Sequence, residues 1–323
     1  MRAFTLAQPK APAPPVPDSS YIAGGTDLMQ LMRNHVTNPA HVVDLTNLVV
    51  ADIAPGAGEL RLGAGATMAD VAAHPEVRRR WPVLSEALLL SASQQIRNMA
   101  TIGGNLLQRT RCNYFRDTGF AACNKRNPGS GCAAIAGNDH RDFAIFGTSD
   151  HCIAQHASDM AVAMIALDAS LQLRDSAGAT RTLKLAAFYH LPGDSPHLEN
   201  ALRPGEVITH VTLPASPAAE KSRYLKIRDR SSFAFALVSA AVALDIRDGA
   251  IHDARVALGG VGTIPWRAPS IEAALRGRKP GPDTWRTAAG HLEPPAGDSF
   301  NTAGFKMGLA RRVVAQALQT VAI

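Results

Sequence analysis

The stretch Ile22-Ala-Gly-Gly-Thr-Asp-Leu-Met29 joins a short strand-like run, Ser20 to Ala23, to a segment whose apolar residues fall at helical spacing. Paired glycines at such a junction let the main chain approach a diphosphate closely, and free N–H groups there favour negative charge. A second segment, Thr101-Ile-Gly-Gly-Asn105, carries a hydroxyl and an amide side chain beside its glycines. Either segment alone fits an ordinary tight turn. Two of them in one chain predict two loops that hold opposite ends of one elongated anionic ligand.

Length, charge and hydropathy exclude several classes of protein. The 323 residues are enough for two domains with separate cores. The net charge is +6 and no basic face is interleaved with aromatic residues, so nucleic acid is not an expected partner. No apolar run is long enough to span a bilayer, and the N-terminus lacks the apolar core of a secretory signal. Gly63-Ala-Gly65 is not followed by the third glycine of a dinucleotide fingerprint, which argues against a classical NAD site.

The pattern of apolar and turn-forming residues divides the chain into two parts. In the first part, residues 1–217, strand-like and helix-like segments alternate, and a Pro/Ala/Ser segment, Pro214 to Ala219, is predicted to be a linker. In the second part, residues 218–323, runs at 233–246 and 251–258 flank an Asp-Gly turn, and two helices follow. We therefore predict an α+β fold with a larger N-terminal and a smaller C-terminal domain.

Within the first part the sequence predicts individual elements. Thr26 or Asp27 is expected to cap a helix that runs to Val36, and Thr67 to cap another. The Gly-Gly segment that ends at Asn105 is predicted to be turn-rich. Other predictions are strands at 40–45, 59–63 and 207–213, helices at 83–91 and 159–167, and a hairpin of 171–174 with 181–185.

All four cysteines, Cys112, Cys123, Cys132 and Cys152, lie in a Gly-, Arg- and Asn-rich segment, residues 109–152, that we predict to be an irregular insertion. Ten, eight and nineteen residues separate them in turn, so the tight knuckles of a structural zinc site are missing. Loose spacing on a Gly-rich loop favours an inorganic cluster held by four thiolates. Zinc, or four cysteines without a metal, remains the alternative.

The quoted segments together resemble a known family. Ala23-Gly-Gly-Thr-Asp-Leu28, Thr101-Ile-Gly-Gly-Asn105 and Ser158-Asp-Met160 resemble the FAD-binding segments of the flavin subunit in the xanthine oxidase, or molybdenum hydroxylase, family, and the resemblance covers the whole chain. It implies a two-part FAD-binding domain of the vanillyl-alcohol-oxidase (PCMH) type, followed by a C-terminal domain of the CO-dehydrogenase flavoprotein type. The cysteine insertion is similar to that of bacterial, periplasmic-type aldehyde oxidoreductases, which carry a [4Fe–4S] cluster.

The resemblance also implies which residues bind the cofactors. The segment at 22–29 would hold the diphosphate and ribityl region, Asp159 the ribityl chain or flavin edge, and Lys226 would be a cation near the flavin. A strand lysine with its charge at the surface is the alternative for Lys226. The four cysteines would hold the cluster, and no catalytic residue is expected on this chain. The implied FAD-binding residues are Ile22, Ala23, Gly24, Gly25, Thr26, Asp27, Leu28, Met29, Thr101, Gly104, Asn105, Ser158, Asp159 and Lys226.

The implied function is electron transfer within a heterotrimeric aldehyde oxidoreductase. A large partner subunit with the molybdenum cofactor would oxidise an aldehyde to a carboxylic acid, and a small partner subunit with two [2Fe–2S] clusters would pass electrons to FAD on this chain. An external acceptor would then receive them. Such complexes can leave the cytoplasm folded on a partner's twin-arginine signal, so the resemblance implies cytoplasmic assembly and allows a periplasmic destination.

Other functions stay open at this point. One alternative is the flavin subunit of a related xanthine or hydroxybenzoyl-CoA-type molybdenum enzyme. A self-contained flavin reductase of the same fold would need its own substrate acid and NADPH site, and the sequence shows neither. A structural zinc-binding assembly subunit would be a protein of another class. Colour separates the last alternative from the others, since bound flavin absorbs blue light and zinc does not.

Overall fold

The computed structural model describes residues 1–11, 16–137, 141–293 and 304–322. Residues 138–140, which belong to the predicted insertion, lie outside the described part. The N-terminal domain begins with a small parallel sheet of order β1-β3-β2. Its strands are β1 (Thr5–Ala7), β2 (Ser19–Ile22) and β3 (His41–Asp44). Because β2 ends at Ile22, the first Gly-Gly loop leaves this sheet at the carboxyl end of its strands.

A five-stranded antiparallel sheet of order β4-β5-β8-β6-β7 forms the second half of the N-terminal domain. Its strands are β4 (Ile53–Pro55), β5 (Glu59–Gly63), β6 (Ser170–Arg174), β7 (Thr180–Lys184) and β8 (Val207–Pro214). The predicted hairpin of β6 and β7 is confirmed, with Ser170 opposite Lys184. Alternate side chains of β6 are buried, as expected for a strand with one face on a core.

Short helices up to residue 220 carry the segments of interest. They are α1 (Leu28–Arg33), α2 (Met68–Ala73), α3 (Pro75–Arg80), α4 (Pro82–Leu89), α5 (Gln94–Met99), α6 (Ile102–Leu106), α7 (Asn113–Arg116), α8 (Ala133–Ala136), α9 (Asp159–Ala166) and α10 (Pro217–Glu220). A single 3-10 turn follows β7 at Leu185–Ala187. Every residue of α9 is buried, because this helix lies between the two domains.

The C-terminal domain is an antiparallel sheet of order β12-β11-β10-β9 covered by three helices. Its strands are β9 (Ser222–Ile227), β10 (Val238–Arg247), β11 (Ala250–Gly259) and β12 (Trp266–Arg267), and its helices are α11 (Pro269–Leu275), α12 (Pro282–Gly290) and α13 (Gly304–Val321). The predicted hairpin is confirmed: Asp248 and Gly249 both have positive φ, as a two-residue turn of this kind requires. Tyr224 of β9 packs into the N-terminal core, so the two domains share an apolar interface.

Polar contacts also hold the domains together. Asp168, after α9, accepts hydrogen bonds from Arg255 and from Arg267, where the Arg267 Nη1 to Asp168 Oδ1 distance is 2.7 Å. Lys306 of α13 is completely buried, and its Nζ donates to the carbonyl of Phe143 at 2.6 Å and to Gln155 Oε1 at 3.1 Å. The C-terminal domain is thereby attached to the segment around the end of the insertion.

Several element predictions were wrong, for local physical reasons. Phe233 has φ +49°, which no strand accommodates, so β10 begins only at Val238. The predicted linker overlaps α10, which the Ser216 side chain caps at Ala219 N, with Pro217 in the first turn. Residues 102–106 are helical rather than a turn, because Thr101 caps them by accepting from Gly104 N.

The first helix also differs from its prediction. It spans only Leu28–Arg33, and neither of the expected caps holds its N-terminus: Asp27 occupies the cap position without a side-chain cap bond. The Asp27 carboxylate instead faces the insertion, where it meets two arginines. The expected cap at Thr67 is confirmed, since its side chain accepts from Asp70 N at 3.1 Å.

Candidate cofactor site

A cavity of about 1270 Å³ lies where the two Gly-Gly segments meet. Its wall is built from both halves of the N-terminal domain, from the insertion and from the loop before β10. The predicted residues on this wall are Ile22, Ala23, Gly24, Gly25, Thr26, Asp27, Leu28, Thr101, Gly104, Asn105 and Asp159. A space of this size, with polar groups converging on it, suits a large cofactor.

Close packing of the first Gly-Gly segment depends on its glycines. A Cβ on Gly24 would lie 1.8 Å from the carbonyl oxygen of Met99, so only glycine lets the first segment pack against the chain just before Thr101. Gly25 has φ +70°, a conformation that β-branched residues avoid. The two segments are therefore locked side by side on the cavity wall.

The backbone of the first segment presents unused hydrogen-bond donors. Gly24, Gly25, Thr26 and Asp27 lie in neither a helix nor a strand, and their N–H groups donate to no acceptor in the part of the chain that the structure describes. Successive free N–H groups at the edge of a cavity form an anion-binding concavity. The first segment therefore fits the diphosphate of a dinucleotide.

The second segment differs, because its donors are occupied. Ile102 N donates to Ala66 O at 2.9 Å, Gly103 N to Ala64 O at 2.8 Å, and Gly104 N to Thr101 Oγ1 at 3.1 Å. These bonds fix the segment against the strand-to-helix turn that precedes α2. The second segment consequently contributes shape and side chains to the cavity, rather than a second row of free amides.

Asn105 and Ser158 are joined directly. Ser158 Oγ donates to Asn105 Oδ1 at 2.5 Å and accepts from Ala161 N at 3.0 Å, so one hydroxyl caps α9 and orients the Asn105 amide. Asn105 lies on the cavity wall, whereas Ser158 lies behind it. Met29 and Lys226 are likewise absent from the wall.

Asp159 reaches the cavity with its carboxylate already hydrogen-bonded. It accepts from Lys226 Nζ at 2.7 Å, from the Tyr224 hydroxyl at 2.7 Å and from Ser91 Oγ at 3.1 Å. The Tyr224 hydroxyl has a single proton, which it donates to Asp159, so it must accept from Ser239 Oγ at 2.7 Å. Burial, and next the charge of Asp159, raise the pKa of Tyr224 well above its usual value.

Several residues on the cavity wall were not predicted from the sequence. The loop between β9 and β10 contributes Asp229, Arg230 and the segment 233–237, and the insertion contributes Tyr114 and Phe120. Phe120, Phe233 and Phe235 are each more than 40% exposed. Large apolar side chains at a surface often mark a binding site, but the sequence does not show that these phenylalanines are exposed.

Asp27 links the first segment to the insertion. Its carboxylate accepts from Arg109 N at 2.9 Å, from Arg116 Nη2 at 2.8 Å and from Arg111. Burial favours a raised pKa, but Arg111 and Arg116 prevail and hold the pKa of Asp27 below its usual value. Since these donors flank Cys112 in the sequence, Asp27 fixes the start of the insertion to the cavity wall.

The four cysteines are free thiols within one region. Cys123 and Cys132 face each other across an antiparallel bridge. Cys112 packs against the apolar cluster that contains Cys123, and Cys112 and Cys132 both pack against a second one. Burial, and next the neighbouring Cys152 and Cys123, raise the pKa of Cys112 to about 12. In the described ranges no three Cys, His, Asp or Glu side chains are arranged to hold a metal ion.

Comparison with known families identifies the chain. Residues 3–216 match the FAD binding domain in molybdopterin dehydrogenase, and residues 223–321 match the CO dehydrogenase flavoprotein C-terminal domain. The chain belongs to the FAD-binding subunits of the molybdenum hydroxylase family. It is accordingly an oxidoreductase subunit, and the cavity described above is the expected place for FAD.

Individual relatives agree with this family. The FAD-binding subunit of an aldehyde oxidoreductase from Escherichia coli K12 is 48% identical, and the match covers 98% of each chain. The medium chain of a glyceraldehyde dehydrogenase from Sulfolobus acidocaldarius is 24% identical over 93% of this chain and 90% of its own. These names describe the relatives, and none of them mentions an iron–sulfur cluster on the FAD-binding subunit.

Solved structures share the fold. Quinoline 2-oxidoreductase from Pseudomonas putida 86 has a chain that aligns with a TM-score of 0.72 at 24% identity, covering 99% of this subunit and 97% of that chain. A chain of carbon monoxide dehydrogenase from Hydrogenophaga pseudoflava gives the same TM-score and identity, with 99% and 98% covered. In the described part of the FAD-binding subunit, no helix is both long and apolar enough to cross a membrane.

Proposed function

We propose that this FAD-binding subunit transfers electrons in a molybdenum-containing aldehyde oxidoreductase. A partner subunit would convert an aldehyde and water into a carboxylic acid, releasing two electrons and two protons. Bound FAD supplies a two-electron acceptor that can pass electrons on to an external acceptor. One observation carries the aldehyde assignment: the relative that is 48% identical over nearly the whole of both chains is an aldehyde oxidoreductase subunit.

The residues proposed to hold FAD would contact different parts of the cofactor. The free N–H groups of residues 24–27 would bind the diphosphate, since they donate to no acceptor in the part of the chain that the structure describes. Asn105, oriented by Ser158, would offer its amide to the cofactor. Asp159 lies on the wall with its carboxylate fixed by Lys226, so it would accept a hydrogen bond without having to reorient.

We further propose that Cys112, Cys123, Cys132 and Cys152 hold a [4Fe–4S] cluster. Each thiolate of such a cluster binds a different iron, so its four sulfurs stand farther apart than four sulfurs around one zinc ion. A cluster therefore does not require the compact arrangement that the described residues lack. Cys123 and Cys132, which face each other across an antiparallel bridge, support this assignment.

The proposed complex has three kinds of subunit. A large molybdenum subunit and a small [2Fe–2S] subunit would join this chain, and assembly would occur in the cytoplasm, where cofactors are inserted, before any export. The carbon monoxide dehydrogenase relative from Afipia carboxidovorans is called a medium chain, which is the name of one subunit among several. The same partners would serve a xanthine or hydroxybenzoyl-CoA-type enzyme, the alternative within the family.

A cofactor inventory of the complex, purified without oxygen, tests the proposal. We expect FAD, molybdenum, and on this subunit about four irons and four acid-labile sulfides. Aldehydes should reduce the flavin absorbance, whereas xanthine and aromatic coenzyme A esters should not. Zinc in place of iron on this subunit would refute the cluster, and flavin reduction by xanthine alone would refute the aldehyde assignment.

The cysteine ligands are tested separately. Cys123→Ser should lose the iron and sulfide of this subunit while the molybdenum of the partner remains. Binding of a metal centre also stabilises the loop around it, so residues 109–152 should become sensitive to protease in this variant. Full iron content in Cys123→Ser would remove Cys123 from the proposed ligands.

A further inference from the structure

A second, much smaller cavity of about 40 Å³ lies beside Cys152. Lys125, His156 and Glu199 are among its lining residues. These three side chains come from the insertion, from the segment that leads into α9 and from the loop before β8. None of them belongs to the residues proposed to hold FAD.

The charges at this cavity do not cancel. Glu199 accepts from Lys125 Nζ at 2.9 Å through one oxygen and from Arg109 Nε at 2.5 Å through the other. Burial favours a raised pKa for Glu199, but Arg109 and Lys125 prevail and hold it below the usual value, so the carboxylate is ionised. Two cations around one carboxylate leave a net positive charge next to Cys152. Lys125 and Cys152 line the same cavity, so this charge lies close to the proposed ligand.

His156 adds a neutral donor to the same place. Its Nδ1 accepts from Ser158 N at 3.2 Å, and burial lowers its pKa to about 4, so the ring is neutral with its proton on Nε2. The Nε2 atom is shielded from solvent and has no partner among the residues that the structure describes. A buried N–H without an acceptor is unfavourable, and this one belongs to a ring that lines the cavity next to a sulfur.

We infer that Lys125, Glu199 and His156 are positioning residues that set the reduction potential of the cluster at Cys152. The inference rests on the proposed function. Reduction adds one negative charge to the cluster, so a nearby cation and a buried N–H that lines the same cavity as Cys152 stabilise the reduced form more than the oxidised form. Lys125 and His156 therefore raise the potential, and Glu199 lowers it. Their combined effect poises the cluster to accept electrons rather than to remain oxidised.

Redox titration of the intact complex, followed by the electron paramagnetic resonance signal of this subunit's cluster, tests the inference. Lys125→Met should shift the midpoint to lower potential and Glu199→Gln to higher potential. We expect each shift to change the ratio of reduced to oxidised cluster at a fixed potential by about tenfold, which is about 59 mV for a one-electron couple. His156→Phe should shift the midpoint in the same direction as Lys125→Met.

Asp245→Asn is the matched control, because it also removes one carboxylate that pairs with an arginine, but in the C-terminal sheet. Its midpoint should equal that of the wild type. Shifts of the same sign in Lys125→Met and Glu199→Gln, or no shift in either, would overturn the inference while iron analysis still upheld the cluster. If Lys125→Met loses its iron, the midpoint of Glu199→Gln alone tests the inference, since glutamine keeps the shape of the glutamate side chain. Wild-type protein without iron would overturn the proposed cluster, and this inference with it.

Discussion

Lys226 donates to Asp159 across 2.7 Å, and the pair is withdrawn from solvent, with exposed side-chain fractions of 1% and 7%. The bond joins β9 of the C-terminal domain to the first residue of α9 in the N-terminal domain. Two residues that the resemblance assigned separately to the cofactor are therefore each other's partners. Only Asp159 reaches the FAD cavity, so Lys226 acts on it through the carboxylate.

Breaking this pair should destabilise the protein more than losing a surface contact would. Asp159→Asn leaves the ammonium group of Lys226 buried without a counter-charge, and Lys226→Met leaves the carboxylate of Asp159 in the same situation. Either change should lower the free energy of unfolding by about 3–5 kcal/mol. The double variant should cost less than the sum of the two. Denaturant unfolding in a double-mutant cycle measures this, and simple additivity would show that the two charges are not coupled. FAD content should fall in Asp159→Asn.

Gly25→Val should abolish retention of FAD. Gly25 has φ +70° and lies on the cavity wall, so a β-branched residue would rearrange the row of free N–H groups. Gly178→Val is the matched control, because Gly178 has φ +90° in a hairpin turn outside the cavity. It should lose stability and keep FAD. Stoichiometric FAD in purified Gly25→Val would contradict the diphosphate site.

Asp27→Asn should detach the insertion from the cavity wall. Arg111 and Arg116 would lose their shared counter-charge, at a cost of about 1–3 kcal/mol, because both are partly exposed. We expect faster proteolysis within residues 109–137 and lower iron content, with FAD weakened to a smaller degree. Asp175→Asn, in an exposed hairpin turn, is the control. An unchanged proteolysis rate and iron content in Asp27→Asn would mean that the insertion stays attached to the cavity wall without the Asp27 carboxylate.

Lys306 should make stability depend on pH above neutrality. Burial lowers its pKa to about 8 in the folded protein, against about 10.4 in an unfolded chain. Between these values Lys306 binds more protons in the unfolded chain than in the folded one, so its contribution to the free energy of unfolding should rise with pH, by at most ~3 kcal/mol, against the opposite contribution of the buried Cys112 thiol. Comparing urea unfolding at pH 7 and pH 10 measures the rise. Lys306→Met should show a smaller rise, and an equal rise in both proteins would place its source elsewhere.

The sequence by itself determined the local elements with strong patterns. The β6–β7 hairpin and the β10–β11 hairpin follow from alternating apolar residues around turn residues, which act over a few positions. The two Gly-Gly segments were also recognisable, because glycine is required wherever backbone approaches backbone, as at Gly24 and Met99. The sequence predicted that they hold opposite ends of one ligand; both do line one cavity, but they pack side by side, with Gly24 against Met99 and Ala100.

Only the tertiary structure decided how side chains distant in the chain are paired. The sequence predicts Asp27 to be a helix cap, but in the fold it pairs with Arg111 and Arg116. The resemblance makes Lys226 a cation near the flavin, but in the fold it pairs with Asp159. The sequence predicts a strand at Phe233, but its positive φ ends the extended conformation and the loop lies on the cavity wall. A charged or polar group takes the partner that folding brings nearest in a low dielectric, and a local pattern carries no information about a residue that lies 67 or 89 positions away.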